Sequence, residues 1–263
     1  MNTIRKAPVS PALMTHVVAG FPSLSESKEM VRMMNEIGAD VIEIQIPFSD
    51  PVADGTTMMR CNEISLDRGF RVDDAFQMAK ELSAEMSTPL LFMTYYNIVF
   101  QRGVERFCRE TKEAGVQGVI VPDMPPEEEY TEHFLETCQK EGLCWIPVIS
   151  PITPPERIAL LAKYAGGFWY VVSRTGVTGA RDDFSEAADE KIAEIRNVSD
   201  LPIALAFGVS TPEHVETIRE KADMAVVGSA VQNIFLRDDR PFLKNLSEAE
   251  EFLRSLRKKA PSA

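Results

Sequence analysis

Two acidic residues, Glu43 and Asp54, have the sequence surroundings that acid/base chemistry requires. Glu43 lies inside the apolar run 41–46, which is typical of a parallel β-strand buried on both faces. Since side chains alternate along a strand, Glu43 and Gln45 are predicted to face the same side. Burial should raise the pKa of the Glu43 carboxyl, which suits a general acid/base. Pairing with a structural Lys or Arg is the alternative, although the nearby early strands contain neither.

Asp54 follows eleven residues after Glu43, in a segment long enough to fold over the end of the strand. Its carboxylate could accept a hydrogen bond from a substrate N–H. A simple Asp-Gly turn at Asp54 and Gly55 is the alternative interpretation. Asp50, which precedes Pro51, is interpreted as a turn residue or a partner contact.

Three glycine-bearing turns late in the sequence could bind an anion. They follow successive predicted strands and contain Gly179, Gly208, and Gly228 with Ser229. Glycine lets the backbone approach a ligand, and consecutive amide groups can point at an oxyanion. A short helix predicted after Gly228 would add its dipole. Each glycine alone indicates a tight turn, but three in this arrangement favour a phosphate site. Arg174 is either a phosphate ligand or a solvent-facing loop charge.

The elements that must position these residues are short apolar runs that alternate with amphipathic segments. The predicted strands cover residues 14–18, 41–46, 90–94, 118–121, 144–149, 168–173, 203–207 and 224–227. The predicted helices cover residues 25–37, 72–85, 103–114, 127–141, 155–163, 185–197 and 212–221, with Thr153 and Thr211 as N-caps. This pattern predicts an α/β fold, a single (β/α)₈ TIM-barrel domain over residues 1–263. A short segment, 1–12, precedes the barrel and a helix over 246–259 closes it. A doubly wound open sheet is the alternative.

Composition excludes several classes of protein. The 40 acidic against 28 basic residues give a net charge of −12, which argues against a general nucleic-acid binder. The four cysteines form no CxxC pair, which is typical of reduced thiols in a cytoplasmic protein. The three histidines form no HxH or HxxxH pair, so a zinc site is not expected. No stretch is suited to a signal peptide or a membrane span.

Several blocks between residues 13 and 230 have distinctive sequences. They are Ala-Gly-Phe-Pro at 19–22, Pro-Phe-Ser-Asp-Pro-Val-Ala-Asp-Gly at 47–55, Tyr-Tyr-Asn at 95–97, Val-Ile-Val-Pro-Asp-Met-Pro-Pro at 119–126, Thr-Gly-Val-Thr-Gly-Ala at 175–180, Phe-Gly at 207–208 and Val-Gly-Ser at 227–229. Together they closely resemble the tryptophan synthase α subunit family. The resemblance implies retro-aldol cleavage of indole-3-glycerol phosphate to indole and glyceraldehyde 3-phosphate, with no cofactor and no metal. It also implies a β-subunit partner in an α2β2 complex.

The resemblance also implies roles for individual residues. Glu43 would protonate carbon 3 of the indole and manage the glycerol hydroxyl proton, and Asp54 would hold the indole N–H. Phosphate binding is implied for Gly179, Gly208, Gly228 and Ser229. Tyr170 would shape the site beside Glu43, Thr178 would belong to a lid, and the indole pocket would be lined by Tyr95 and Phe207. Packing at the barrel mouth is the alternative for these two aromatic residues.

The sequence departs from the family pattern at four positions. Gln45 stands where the family usually has Gly, and it is expected to narrow the cavity or to hydrogen-bond Glu43. Thr56 and Met59 replace the usual Pro and Gln, and Ala206 replaces another small residue. Thr56 and Met59 lie in the 50–60 region through which the β subunit is expected to bind.

Three other functions remain open at this point. The chain could be a free-standing lyase that releases indole, or a weakly catalytic subunit that mainly activates a β partner. A barrel acting on another sugar phosphate is the third possibility, although no inward lysine is predicted for Schiff-base aldol chemistry.

Overall fold

Parallel strands alternate with helices throughout residues 11–172, 186–206, 208–237 and 239–257, which the computed structural model describes. The strands are β1 (Ala12–Val18), β2 (Val41–Gln45), β3 (Leu90–Met93), β4 (Gly118–Ile120), β5 (Cys144–Trp145), β6 (Val148–Ile149), β7 (Trp169–Val172), β8 (Ile203–Ala206) and β9 (Met224–Val227). The helices are α1 (Leu24–Glu36), α2 (Thr56–Asp67), α3 (Val72–Glu85), α4 (Tyr96–Arg102), α5 (Val104–Glu113), α6 (Glu129–Glu132), α7 (Phe134–Glu141), α8 (Pro155–Leu161), α9 (Glu186–Arg196), α10 (Pro212–Lys221), α11 (Ser229–Phe235) and α12 (Phe242–Leu256).

The strands form one parallel sheet that closes on itself. They pair in the order β5-β4-β3-β2-β1-β9-β8-β7-β6. The two ends of this order, β5 and β6, belong to one extended run that is interrupted at Ile146 and Pro147. The Ile146 N–H donates to the carbonyl of Val119 in β4, and the Tyr170 N–H of β7 donates to the carbonyl of Pro147. The run therefore joins β4 to β7 and completes eight strand positions, so the predicted barrel is confirmed.

Alternation along the strands separates the barrel interior from the layer that faces the helices. On β2, Ile42 and Ile44 pack in the outer core, whereas Val41 packs in a smaller interior cluster. Glu43 and Gln45 continue the face of Val41 and point into the barrel, as predicted. The rest of the interior cluster is apolar and includes Met14, Leu91, Met93, Ile120, Ile146 and Val226. The barrel thus surrounds a few polar side chains with hydrocarbon.

The sequence pattern did not predict two helices, α2 and α4, which are the next elements after β2 and β3. Because α2 begins at Thr56, only the first half of the 50–60 region is a loop. The predicted helix 127–141 is wrong as a continuous element: it is a 3₁₀ turn (Pro126–Glu128), then α6 and α7. His133 separates α6 from α7 with a left-handed φ of 53°. The closing helix α12 begins at Phe242, before the predicted residue 246.

One of the two predicted helix caps is wrong. Thr211 is the N-cap of α10, and its side chain accepts the His214 N–H as predicted. The N-cap of α8 is Pro154 rather than Thr153. The Thr153 hydroxyl instead accepts the Ser150 N–H at 3.0 Å, so it stabilises the turn before the helix.

Within the described ranges, no helix has the length and apolar composition needed to cross a membrane. All four cysteines are buried, and none of them forms a disulfide bond.

Candidate active site

Glu43 is a buried carboxyl with little to stabilise its charge. It lies at the middle of β2, in register with His16 of β1 and Leu91 of β3, and is 2% exposed. Burial and the nearby charge of Asp54 raise the pKa of Glu43 to about 8. No described residue hydrogen-bonds Glu43 Oε2. Glu43 therefore holds a proton at neutral pH, which is the state that a general acid needs.

His16 lies beside Glu43 and was missed as a site residue by the sequence analysis. Its Nδ1 atom is 3.6 Å from Glu43 Oε2, which is longer than a hydrogen bond. Burial lowers the pKa of His16 to about 4, so the imidazole is neutral and forms no ion pair with Glu43. The signal was present in the sequence, since alternation from Met14 along β1 points His16 into the barrel.

Gln45 connects the first two strands to the loop that follows β2. Its side-chain oxygen accepts from His16 Nε2 at 2.9 Å, and its Nε2 donates to Asp54 Oδ2 at 2.5 Å. The expected hydrogen bond from Gln45 to Glu43 is wrong. The two side chains share the interior face of β2 but form no hydrogen bond with each other, and Gln45 is fully buried between His16 and Asp54.

Asp54 is held over the end of β2 by several donors. Its Oδ2 also accepts from Asn62 Nδ2 at 3.2 Å, and its carboxylate bonds the Tyr95 hydroxyl. Burial raises the pKa of Asp54 to about 6, while the hydrogen bonds from Gln45, Tyr95 and Asn62 limit the rise. Asp54 is thus ionised at neutral pH. It forms more than an Asp-Gly turn, because its side chain is buried in this network.

Asn62 is a second residue that the sequence analysis missed. It lies on α2, the helix that was not predicted, and is 1% exposed. Its side-chain oxygen accepts the Phe48 N–H at 3.0 Å, and its amide donates to the Met58 carbonyl at 2.8 Å. Asn62 therefore fixes the 46–55 loop against α2 and aims a donor at Asp54.

Aromatic residues border the pair of carboxyls. The Tyr95 hydroxyl accepts the Ala53 N–H at 3.1 Å, and its ring stacks on Phe48 with centroids 5.4 Å apart. Tyr170, on β7, is close enough to Glu43 and Asp54 that their charges, added to burial, raise its pKa well above the usual value. Tyr95 therefore lies beside Asp54, and Tyr170 lies near both carboxyls.

The glycine turns after β8 and β9 lie at the carboxyl ends of their strands. Gly208 has a φ of +65°, and a side chain there would meet nothing within 4 Å. Gly228 is the N-cap of α11, whose first residue is Ser229. A Cβ on Gly228 would lie 3.4 Å from the Cβ of His16, so this turn approaches the acid/base pair. Other predicted site residues, namely Arg174, Thr178, Gly179 and Phe207, lie outside the described residues.

One group of side chains elsewhere has the composition of a cation site. Ligand atoms of Glu129, His133 and Glu136 lie within 4.8 Å of one another. The Glu129 carboxylate, however, accepts the backbone N–H groups of Leu135 and Glu136 at 2.7 and 2.8 Å. Capping the first turn of α7 accounts for this buried carboxylate.

The two central carboxyls occupy opposite protonation states at neutral pH. Glu43 retains its proton and Asp54 loses its proton, because only Asp54 receives strong hydrogen bonds. Such a pair can donate a proton at one point of a substrate and stabilise positive charge at another. The fold and this site define a parallel β/α-barrel enzyme with one protonated and one ionised buried carboxyl, on β2 and on the loop beyond it.

Comparison with known proteins identifies the family. The family model described as "Tryptophan synthase alpha chain" matches residues 3–260. The tryptophan synthase alpha chain of Syntrophotalea carbinolica is 43% identical over 245 residues, 93% of this chain and 94% of the relative. That of Desulfotalea psychrophila is 42% identical over 240 residues, 89% of this chain and 93% of the relative. The chain belongs to the tryptophan synthase alpha chain family, lyases of tryptophan biosynthesis, and the resemblance drawn from the sequence blocks is confirmed.

Solved structures agree with this assignment. A structure of the tryptophan synthase α2β2 complex from Pyrococcus furiosus superposes with a TM-score of 0.86 at 32% identity, covering 94% of this chain and 98% of that chain. A structure of tryptophan synthase from Mycobacterium tuberculosis gives a TM-score of 0.85 at 32% identity, with 94% and 91% coverage. This chain therefore shares the barrel fold of those proteins over most of its length.

Proposed function

We propose that the chain cleaves indole-3-glycerol phosphate to indole and glyceraldehyde 3-phosphate, with Glu43 as acid/base and Asp54 as the partner of the indole N–H. The observation that carries this assignment is the protonated, unpaired Glu43 carboxyl beside an ionised Asp54. A buried carboxyl without a charge partner costs stability, and such a cost is typical of a functional site.

The proposed reaction begins with proton transfer from Glu43 to carbon 3 of the indole. The ring becomes a cationic indolenine, and the carboxylate of Asp54 stabilises the positive charge through the ring N–H. The Glu43 carboxylate then removes the proton of the hydroxyl next to the scissile bond. As the carbonyl of glyceraldehyde 3-phosphate forms, the electrons of the broken carbon–carbon bond return to the ring and restore neutral indole. Glu43 ends the cycle protonated, so no further reactant is needed.

The phosphate anchor is proposed at Gly208, Gly228 and Ser229. The first amide groups of α11 have no acceptor within the helix, and Gly228 lies beside His16 at the edge of the carboxyl pair. Backbone amides can bind the anion in a chain of net charge −12 without a lysine or arginine. Family membership supports adding Gly179 to this anchor, Thr178 to a lid, and Phe207 with Tyr95 and Tyr170 to the indole pocket.

A β subunit is the proposed protein partner, bound at the carboxyl end of the barrel through the 50–60 region. Large apolar side chains are exposed after several strands: Val52 is 81% exposed, Tyr130 90% and Ile152 77%. Such exposed apolar groups at one end of a barrel favour a protein interface. Thr56 and Met59 lie on the first turns of α2 beside this surface. Four cysteines without a disulfide bond suit the cytoplasm as the location.

Release of indole from indole-3-glycerol phosphate by the purified chain tests the proposal. The expected result is equal amounts of indole and glyceraldehyde 3-phosphate, with a faster rate when a tryptophan synthase β subunit is added. Equal rates with and without the β subunit would select the free-standing lyase. No indole under either condition, combined with activation of the β subunit, would select the weakly catalytic subunit and overturn the proposal.

A further inference from the structure

We propose that Gln45 is a positioning residue that locks His16 in one tautomer, and that this tautomer keeps Glu43 in its acid form. The inference rests on the proposed role of Glu43 as the proton donor. It connects the two carboxyls of the site through a continuous chain of buried side chains, Glu43, His16, Gln45 and Asp54. All four residues are at most 7% exposed.

The first step is the orientation of the Gln45 amide. Ionised Asp54 can only accept hydrogen bonds, so the Gln45 group that lies 2.5 Å from Asp54 Oδ2 must be the NH₂ group. The same NH₂ group lies 3.5 Å from the Asn62 side-chain oxygen, whose position is fixed by the Phe48 N–H at 3.0 Å. Two acceptors therefore face this end of Gln45, and its oxygen is left to face His16.

The second step is the tautomer of His16. Gln45 Oε1 can only accept, so His16 Nε2, 2.9 Å away, must carry the imidazole proton. Neutral imidazole has one N–H, which leaves Nδ1 with a lone pair. Nδ1 is the atom that lies 3.6 Å from Glu43 Oε2. The backbone of His16 is held as well, because Gln232 of α11 donates to the His16 carbonyl at 2.7 Å.

The third step is the effect on Glu43. A lone pair 3.6 Å from Oε2 offers a carboxylate no donor and repels its negative charge, so it favours the protonated form of Glu43. The other titratable groups that face Glu43 are Asp54, from the loop after β2, and Tyr170, from β7. Asp54 repels a second negative charge, and β3 presents the apolar Leu91. Among the described residues, none of these groups favours the Glu43 carboxylate as a protonated Nδ1 would.

Without the hydrogen bond from His16 to Gln45, the imidazole proton should therefore move from Nε2 to Nδ1. In Gln45→Met, which keeps an unbranched side chain of similar length, His16 Nε2 has no amide oxygen to bond. The imidazole proton can then move to Nδ1 and donate to the Glu43 carboxylate, which would lower the pKa of Glu43. Asn62→Ala is the control, because it removes a donor to Asp54 while Asp54, the nearer of the two acceptors at the Gln45 NH₂ group, still orients that amide toward His16.

The test is NMR of the full-length, substrate-free chain with labelled histidine side-chain nitrogens and labelled glutamate carboxyls. Wild type and Asn62→Ala should show His16 protonated at Nε2 only. Gln45→Met should show protonated Nδ1 and a Glu43 titration midpoint lower by at least about one pH unit. Proton on Nδ1 in the wild type, or an unchanged Glu43 midpoint in folded Gln45→Met, would overturn the proposal. If Gln45→Met does not fold, the tautomer of His16 in the wild type alone tests the proposal.

These spectra separate the inference from the proposed function, since they need no turnover. If the chain releases no indole but His16 is protonated at Nε2 only, the proposed reaction is wrong and the inference about the His16 tautomer stands. In an active chain, the upper limit of the pH profile for indole release should move down in Gln45→Met and stay in place in Asn62→Ala. A structural role of Gln45 alone would lower the rate without moving that limit.

Discussion

The side-chain amide of Gln45 bonds Asp54 at 2.5 Å, although Gln45 lies on β2 and Asp54 on the loop beyond it. This contact ties the loop carboxylate to the strand that carries Glu43. The relative positions of the two carboxyls are consequently fixed by a strand of the barrel and one buried amide, which is the rigidity that proton transfer to a chosen carbon requires.

The rate of indole release should depend on pH with two limits. Asp54 must be ionised and Glu43 protonated, so kcat/KM is expected to rise through about pH 6 and to fall through about pH 8. Because the two carboxyls interact, the limits belong to the pair. Initial rates at subsaturating substrate across this range provide the measurement. A rate that continues to rise well above pH 8 would mean that the reaction does not need protonated Glu43.

The free energy of unfolding should also depend on pH, because the folded chain holds a proton on buried Glu43. Glu43 titrates near 4.5 when unfolded and near 8 when folded, so the folded chain binds the extra proton between these values. The free energy of unfolding from this group is then greatest below about pH 4.5 and falls as the pH rises through about 8. The free energy of unfolding of the wild type should fall by a few kcal/mol between about pH 4.5 and about pH 8, and Glu43→Gln should not show this fall. Denaturant unfolding at several pH values measures it, and parallel curves for wild type and variant would contradict the buried proton.

The hydroxyl of Tyr95 should help to keep Asp54 ionised. Tyr95→Phe removes a hydrogen bond to the Asp54 carboxylate, so the pKa of Asp54 should rise and the lower pH limit of kcat/KM should shift upward. The rate near that limit is expected to fall about tenfold, which corresponds to one lost hydrogen bond to a charged group. Tyr96→Phe is the control, since the Tyr96 hydroxyl bonds Glu132 at 2.5 Å instead. Equal pH profiles of kcat/KM for the two variants would show that the Tyr95 hydroxyl does not affect Asp54.

Gly20→Ala should destabilise the fold more than Gly69→Ala, although both glycines have a left-handed backbone. Both have positive φ, +79° and +81°, so both Ala variants carry backbone strain. A Cβ on Gly20 would lie 2.4 Å from Ser65 Oγ and from the Phe70 ring, whereas nothing lies within 4 Å at Gly69. Gly20→Ala should therefore cost about 1–3 kcal/mol more than Gly69→Ala. Equal free energies of unfolding would show that the Gly20 turn can relax.

Most of the fold could be predicted from periodicity because strands buried on both faces are continuous apolar runs. The eighth predicted strand, 224–227, matches β9, and helix α3 has the predicted bounds. Helices α2 and α4 were missed, since α2 has polar residues on the face that contacts the site, such as Asn62, and α4 has fewer than two full turns. The break at His133 is a left-handed residue whose type gives little warning.

The candidate site was predictable as two carboxyls but not as a network. Glu43 is conspicuous because it interrupts an apolar strand. Asp54 is conspicuous because it belongs to the distinctive sequence block 47–55. The role of Gln45 depends on which residue of β1 lies beside it, and strand register places Val18 opposite Gln45 and His16 opposite Glu43. A single sequence does not specify these pairings, so the expectation that Gln45 bonds Glu43 was wrong.

In the proposed reaction, the buried Glu43 carboxyl donates the proton that leads to cleavage of the carbon–carbon bond. The most direct measurement is kcat for indole release by Glu43→Gln at neutral pH, beside Glu36→Gln as the same change on an exposed face of α1. We predict a loss of about 10²–10⁴-fold for Glu43→Gln and a wild-type rate for Glu36→Gln. A Glu43→Gln variant that is folded and keeps kcat near the wild-type value would contradict the account.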